Sequence, residues 1–301
     1  MKDKWNFQMY DKTLNIYRNL SDQIEKVLRH TRQCSIKTRY RYEDGVNHFA
    51  KFLAGAFKKQ NLNKIKAKHL EAYAEQMKES GYSKSYITTN LSAIRFFVDI
   101  KGGDSRKLPS NKELGVEHRT KADRIADNKA WAEGEVQRFI NYSESVGKYR
   151  YADMVRMAYF FGLRIHEVAR LDKSQLAKAL NTGLLTVKRK GGLVRSIPLH
   201  NNELIERLYE ETKAGEKVFI DKDEKTHKVI NNLQCFIYNH HKEFKINNDG
   251  KNRSFHGLRH LYAQNRYRYF IEKGIDDYNA RLKVSKLLGH FRVEITEIYL
   301  N

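Results

Sequence analysis

Six side chains in the second half of the chain, Arg164, Lys190, His256, Arg259, His290 and Tyr299, are of the types that metal-free cleavage of a phosphodiester requires. A phosphodiester is a monoanion that gains charge on the way to a trigonal-bipyramidal transition state, so fixed positive donors must stand in for a metal. Guanidinium forks match phosphate oxygens two at a time and stay charged at working pH. Donors of this kind are each worth roughly 100- to 1000-fold in rate. Arg164 and Arg259 are the candidates, and His256, three residues before Arg259, shares a face with it on a helix. Lys190, followed by Gly191 and Gly192, has an ammonium suited to protonating a departing 5′ oxygen, although Lys188 and Arg189 compete for that role. Tyr299 supplies a nucleophilic hydroxyl; a phenol holds its proton at neutral pH, so neighbouring cations must help it leave. Each residue alone has an ordinary explanation: Glu167 can pair with Arg164, a histidine can cap or pack, and most of the 18 tyrosines must be structural.

The order and local wording of the set are more specific. The phrases are Phe161-Gly162-Leu163-Arg164 with Glu167 behind it, Val187-Lys188-Arg189-Lys190-Gly191-Gly192, His256-Gly257-Leu258-Arg259-His260, Leu288-Gly289-His290 and Thr296-Glu297-Ile298-Tyr299. Together they resemble the signature of the tyrosine recombinase (phage integrase) family, over most of the chain. The resemblance implies a site-specific recombinase or integrase of a mobile genetic element that needs neither metal nor ATP. In it Tyr299 attacks one DNA strand to form a 3′-phosphotyrosyl link, His256 assists proton transfer and His290 hydrogen-bonds the scissile phosphate. It favours Lys190 as the proton donor, through the phrase that continues to Arg195, Ile197, Pro198 and Leu199. It also implies two domains closing round double-stranded DNA and a homotetramer on two DNA sites. One geometric demand follows from spacing: His290 lies nine residues before Tyr299, about 900° along an unbroken helix, which puts the two on opposite faces. The backbone must bend between them if both serve one phosphate.

The elements that would carry these residues read as mainly helical. Two prolines, 31% charged residues and apolar side chains at three-and-four spacing predict helices through most of the chain. One runs over residues 36–57, with Tyr40, Val46, Phe49, Phe52 and Leu53 on its apolar side; a second over 67–79 stops at Gly81; a third opens behind Ser83 as N-cap. From Lys101 to about Asp127 the rhythm fails and Gly102, Gly103, Pro109 and Ser110 accumulate, as in a linker. Residues 183–187 and 193–199 read as two short strands with Lys190, Gly191 and Gly192 at their turn. The expected architecture is a helical core-binding (SAM-like) domain over 1–105, a linker over 106–128, and a mostly helical catalytic domain with a small antiparallel sheet over 129–301.

At 301 residues the chain has room for two cores. Its net charge of +21 and pI near 9.7 call for a polyanionic partner. That charge is placed: residues 201–250 carry 8 Lys/Arg against 10 Asp/Glu, whereas no acid occurs over 45–70, 80–98, 173–202 or 250–271. Those acid-free windows supply the DNA-binding candidates Lys58, Lys59, Lys64, Lys66, Lys84, Arg95, Lys188, Arg189 and Arg253. Cys34 and Cys235 define neither a disulfide framework nor a metal cluster, and no apolar run has the length of a signal peptide or membrane span. A cytoplasmic, nucleoid-associated protein without cofactor or metal is expected. Three rivals remain: a type IB topoisomerase using the same residue kinds, a metal-dependent transposase drawing on Asp221, Asp223, Asp276 and Asp277, and a non-catalytic DNA-binding protein of the same fold. Asn301 ends the sequence two residues past Tyr299, so either exchange of contacts between protomers uses some other element or the sequence is a shortened piece.

Overall fold

The computed structural model describes residues 11–117, 120, 129–188, 192–246 and 252–300. They form two compact units, Met1–Thr120 and Lys121–Asn301.

Among the described residues the first unit has four helices, α1 (Asp11–Leu28), α2 (Ile36–Phe57), α3 (Ala67–Glu79) and α4 (Lys84–Ile100), followed by a 3₁₀ turn at Ser105–Lys107. The caps explain where they start and stop. Ser35 accepts from the Thr38 amide to open α2, Ser83 accepts from the Tyr86 amide to open α4, and Gly81 takes φ +70 after α3. Leu20 and Ile24, Phe49 and Leu53, Tyr73 and Met77, and Leu91 and Ile94 recur at helical spacing and meet in one core. Asn90 Nδ2 and His48 Nδ1 both contact the Tyr73 hydroxyl, at 3.1 and 2.6 Å, which satisfies that buried phenol.

Three expectations are corrected here. Helix α1, absent from the sequence reading, contributes Leu20, Ile24 and Leu28 to the core. Tyr40, placed on the apolar side of α2 by spacing, is 56% exposed, with the Arg39 guanidinium over its ring. The expected linker begins too early: Leu108, Leu114 and Val116 are buried in this core, and Arg95 donates to Asn111 Oδ1 and the Pro109 carbonyl, binding the segment back onto α4. Its glycines and charges hid three anchors spaced too irregularly for a periodic pattern.

The second unit holds α5 (Glu133–Ser145), α6 (Tyr149–Phe161), α7 (Ile165–Val168), α8 (Lys173–Thr182), β1 (Leu184–Lys188), β2 (Val194–Pro198), α9 (Asn202–Glu211), α10 (Thr226–Asn239), α11 (His241–Phe244), α12 (Phe255–Glu272), α13 (Asp277–Leu288) and α14 (Val293–Leu300). The strands pair antiparallel with Leu185 opposite Ile197 and Val187 opposite Arg195. Alternation buries Leu185 and Val187 on one strand, Arg195 and Ile197 on the other. Trp131 stacks on Phe244 at 4.9 Å and donates from Nε1 to the Ser254 carbonyl, which fixes the start of α12. A Cβ on Gly257 would lie 2.2 Å from the Lys129 carbonyl oxygen, so only glycine admits this approach one residue after His256.

Candidate active site

The site is assembled where three helix ends meet. Helix α6 stops at Gly162 in the left-handed region, φ +60, and the chain turns through Leu163 to Arg164, the N-cap of α7. Helix α12 begins at Phe255, so His256 and Arg259 lie in its first turns. Helix α13 stops at Gly289, φ +72; Phe291 follows at φ +56, and α14 carries Tyr299. These two left-handed residues supply the bend that the nine-residue spacing demanded. As a result the His290 and Tyr299 rings lie 5.7 Å apart and nearly parallel, at 15°.

Tyr299 is 9% exposed and surrounded by nitrogen-bearing groups. Its ring centroid is 4.6 Å from His260, 5.8 Å from His256 and 5.7 Å from the Arg259 Cζ. Thr296, fully buried one turn earlier, donates toward the carbonyls of Arg281 and Arg292, and Arg281 pairs with Glu297 at 2.9 Å, so α14 is tied to α13.

Arg259 is fully buried and its donors are mostly spent on backbone: Nη1 gives to the Gly162 carbonyl at 2.6 Å and Nη2 to the Leu288 carbonyl. Its Nε has no hydrogen-bond partner among the described residues. Burial, then the charges of Arg195 and Arg164, push its ionisation down to about 9. Arg164 is partly exposed and gives Nη1 to Glu167 Oε1 at 3.0 Å. Glu167, 4% exposed, accepts the Arg164 amide at 2.9 Å and Arg195 Nη2 at 2.7 Å. Burial opposes its charge, but Arg195, the Arg164 amide and the charges of Arg259 and Arg164 together hold its carboxyl below the usual range. Three guanidiniums thus face one carboxylate, leaving a surplus of fixed positive charge that an anion would relieve. Desolvation by the neighbouring groups, with the charges of Arg259, Arg164 and Lys129, pushes His256 down to about 4, although the residue itself is exposed to solvent. His256 is therefore a neutral imidazole at pH 7. His290 Nδ1 contacts Ser285 Oγ at 3.1 Å, which orients its ring.

Two sequence matches accord with this geometry: the phage integrase family model matches residues 130–301, and the model of the phage integrase N-terminal SAM-like domain matches residues 10–101. The chain belongs to the phage integrase family. No curated protein matches its sequence. Among solved structures, a lambda integrase dimer bound to a COC′ core site is similar with a TM-score of 0.64 at 18% identity, over 93% of this chain and 93% of that one. A lambda integrase tetramer bound to a Holliday junction gives 0.63 at 18%, over 96% and 77%. The Tn1549 transposon integrase in complex with a circular intermediate DNA gives 0.56 at 15%, over 96% and 95%. At such identities the likeness is one of fold, the mostly helical, tyrosine recombinase architecture with a small antiparallel sheet.

Within this integrase-family chain the structure brings together Arg164, His256, Arg259, His290 and Tyr299, while Lys190 and Arg189 lie outside the described residues. Lys188 ends β1 and is exposed. Of the remaining DNA-binding candidates, Lys58, Lys64 and Lys66 are exposed around the α2–α3 connection. Partial burial and the charges of Lys66, Lys68 and Lys64 lower Lys59 beside them. Lys84 pairs with Glu117 at 3.4 Å, both exposed, a contact that water screens. Arg95 braces the Pro109 loop. Arg253 is a correction: it is 5% exposed and bonded to Glu135 through Nε at 2.6 Å and Nη2 at 2.9 Å. It holds the interior of its unit rather than presenting a donor to DNA, because a buried carboxylate beneath it requires a counter-charge. Asp221 and Asp276, named for a metal-dependent rival, pair with Arg150 and cap α13 respectively. Sequence reasoning missed His260 and Arg195 as members of the cluster. The one signal for Arg195 was a charged residue at an inward position of a strand. Among the described residues no helix is long and apolar enough to cross a membrane.

Proposed function

We propose that the chain is a site-specific recombinase that cuts and rejoins duplex DNA through a 3′-phosphotyrosyl intermediate, in the integration or excision of a mobile element. The observation that carries this reading is the placement of the Tyr299 ring within 6 Å of three histidine rings and of the Arg259 guanidinium. The scissile phosphate takes two oxygens to Arg164, Arg259 and His290. Tyr299 Oη attacks phosphorus and passes its proton to His256, which is neutral at the outset. The P–O5′ bond breaks, and the departing oxygen takes a proton from the hairpin lysine assigned by sequence, Lys190. A 5′ hydroxyl of a partner strand then displaces the tyrosine by the reverse path. Phosphoryl bond energy is kept in the ester throughout, so the reaction is driven without ATP. Double-stranded DNA is the substrate. The DNA-bound dimer and tetramer of lambda integrase support a homotetramer joining two sites here.

The test is a nicked duplex carrying the element's end, from which the cleaved fragment escapes and traps the covalent stage. The parent should give a denaturant-resistant adduct insensitive to EDTA, and Tyr299→Phe none. Equal strand exchange by both proteins would remove Tyr299 from the mechanism; relaxation of a plasmid without recombinant product would favour a topoisomerase.

A further inference from the structure

Arg195 stands where strand alternation calls for an apolar side chain. It points inward with Ile197 from β2 and is 4% exposed. A guanidinium is retained in an interior only where partners repay its dehydration. Its partners are on three other elements: Nη2 gives to Glu167 Oε2 at 2.7 Å and to the Gly162 carbonyl at 3.4 Å, and Nη1 gives to the Leu287 carbonyl. Arg259 spans the same gap beside it, from the Gly162 carbonyl to the Leu288 carbonyl. Two like charges, one from a strand and one from a helix, both reach the Gly162 carbonyl and the last turn of α13.

That turn matters because its carbonyls have no partners within the helix, and the next residues are Gly289, His290 and the bend into α14. We propose that Arg195 is a positioning residue: it anchors the carboxyl end of α13 and so sets the placement of His290 and Tyr299. Its charge also offsets Glu167, which leaves Arg164 positive toward a bound anion. The inference rests on Tyr299 as nucleophile for its consequence in catalysis, but its structural half needs no DNA.

Full-length Arg195→Lys and Arg195→Met are compared with the parent. Lysine restores a charge beside Glu167 without the fork that reaches both carbonyls; methionine removes both. Amide hydrogen exchange without DNA should speed up over residues 289–300 in both variants by about tenfold or more, the loss expected for charge-assisted hydrogen bonds. Exchange in α5 and α10 should stay near the parent's. On a nicked duplex at saturating protein, single-turnover cleavage should fall about tenfold to hundredfold with duplex affinity within about twofold, and Arg195→Lys should lose less than Arg195→Met. Exchange over 289–300 within about twofold of the parent in Arg195→Lys would overturn the proposal, as would an equal acceleration throughout the second unit, which would mean general destabilisation. If methionine prevents folding, the lysine variant decides alone. Failure of the parent to form an adduct would count against Tyr299 as nucleophile, and the exchange measurement would still say whether Arg195 holds the segment.

Discussion

Gly162→Ala should damage both the stability of the second unit and the geometry of its site. The glycine has φ +60, and a Cβ there would lie 2.3 Å from Tyr262 Cδ1, with Cε1 and Cγ at 2.7 and 2.8 Å. Ordinary contact requires about 3.5 Å, so the ring must retreat by ~1 Å. Tyr262 is 2% exposed, and burial has already pushed its phenol up to about 12 with no partner for the hydroxyl among the described residues, so there is little room to receive it. A left-handed alanine costs about 1 kcal/mol and an overpacked core about 1–3 kcal/mol, together about 2–4 kcal/mol. Denaturant unfolding followed by fluorescence of Trp131, in a background with Trp5→Phe, should report that loss. Adding Tyr262→Ala removes the overlap, so the double variant should show a coupling of about 1 kcal/mol or more. Cleavage should fall further than stability, because the Gly162 carbonyl receives both Arg259 and Arg195. A loss under about 1 kcal/mol, or strict additivity with Tyr262→Ala, would refute the close-approach argument.

Three further outcomes are expected. Glu135→Ala leaves Arg253 buried without its carboxylate and should destabilise the second unit by about 3–5 kcal/mol in denaturant melts, whereas Glu224→Ala, at a partly exposed pair with Arg150, should cost under about 1 kcal/mol. His256, pushed down to about 4 in the folded chain from an ordinary value of 6.5, binds fewer protons folded than unfolded between those limits. Stability should therefore decline as pH falls from 6.5 through 4, and His256→Gln should flatten that slope; an NMR titration should also show the His256 value rising when duplex DNA brings a phosphate beside it. If binding neutralises roughly 6–10 phosphates, duplex affinity should drop by about a thousandfold or more between 50 and 200 mM salt, and a flat response would contradict DNA as the partner.

Much of the candidate site could be proposed from the residues because its members sit in local phrases, and the fold brings five of the six side chains together. His256 and Arg259 share a helical face by arithmetic alone. The capped helices α2 and α4 and the two strands were legible for the same reason: caps and alternation are signals of short range. Helix α1 and the packing of residues 108–116 were not. Both depend on which apolar side chains find a core assembled from elsewhere. The position of Tyr40 illustrates the converse, since spacing placed it on the buried side and the fold left it exposed to stack under Arg39.

The sequence by itself determined the list of candidate reactive groups, the surplus of basic charge and the need for a bend if His290 and Tyr299 are to serve one phosphate. Only the tertiary structure decided which cations face Tyr299 and which serve the interior. Arg253 and Arg259 stand six residues apart, both in acid-free surroundings; Glu135 from a distant helix claims the first, while the second spans the Gly162 and Leu288 carbonyls beneath Tyr299. Composition cannot separate them. A guanidinium's role is set by whatever carboxylate, carbonyl or open space folding brings within about 3 Å of it, and those partners come from far along the chain.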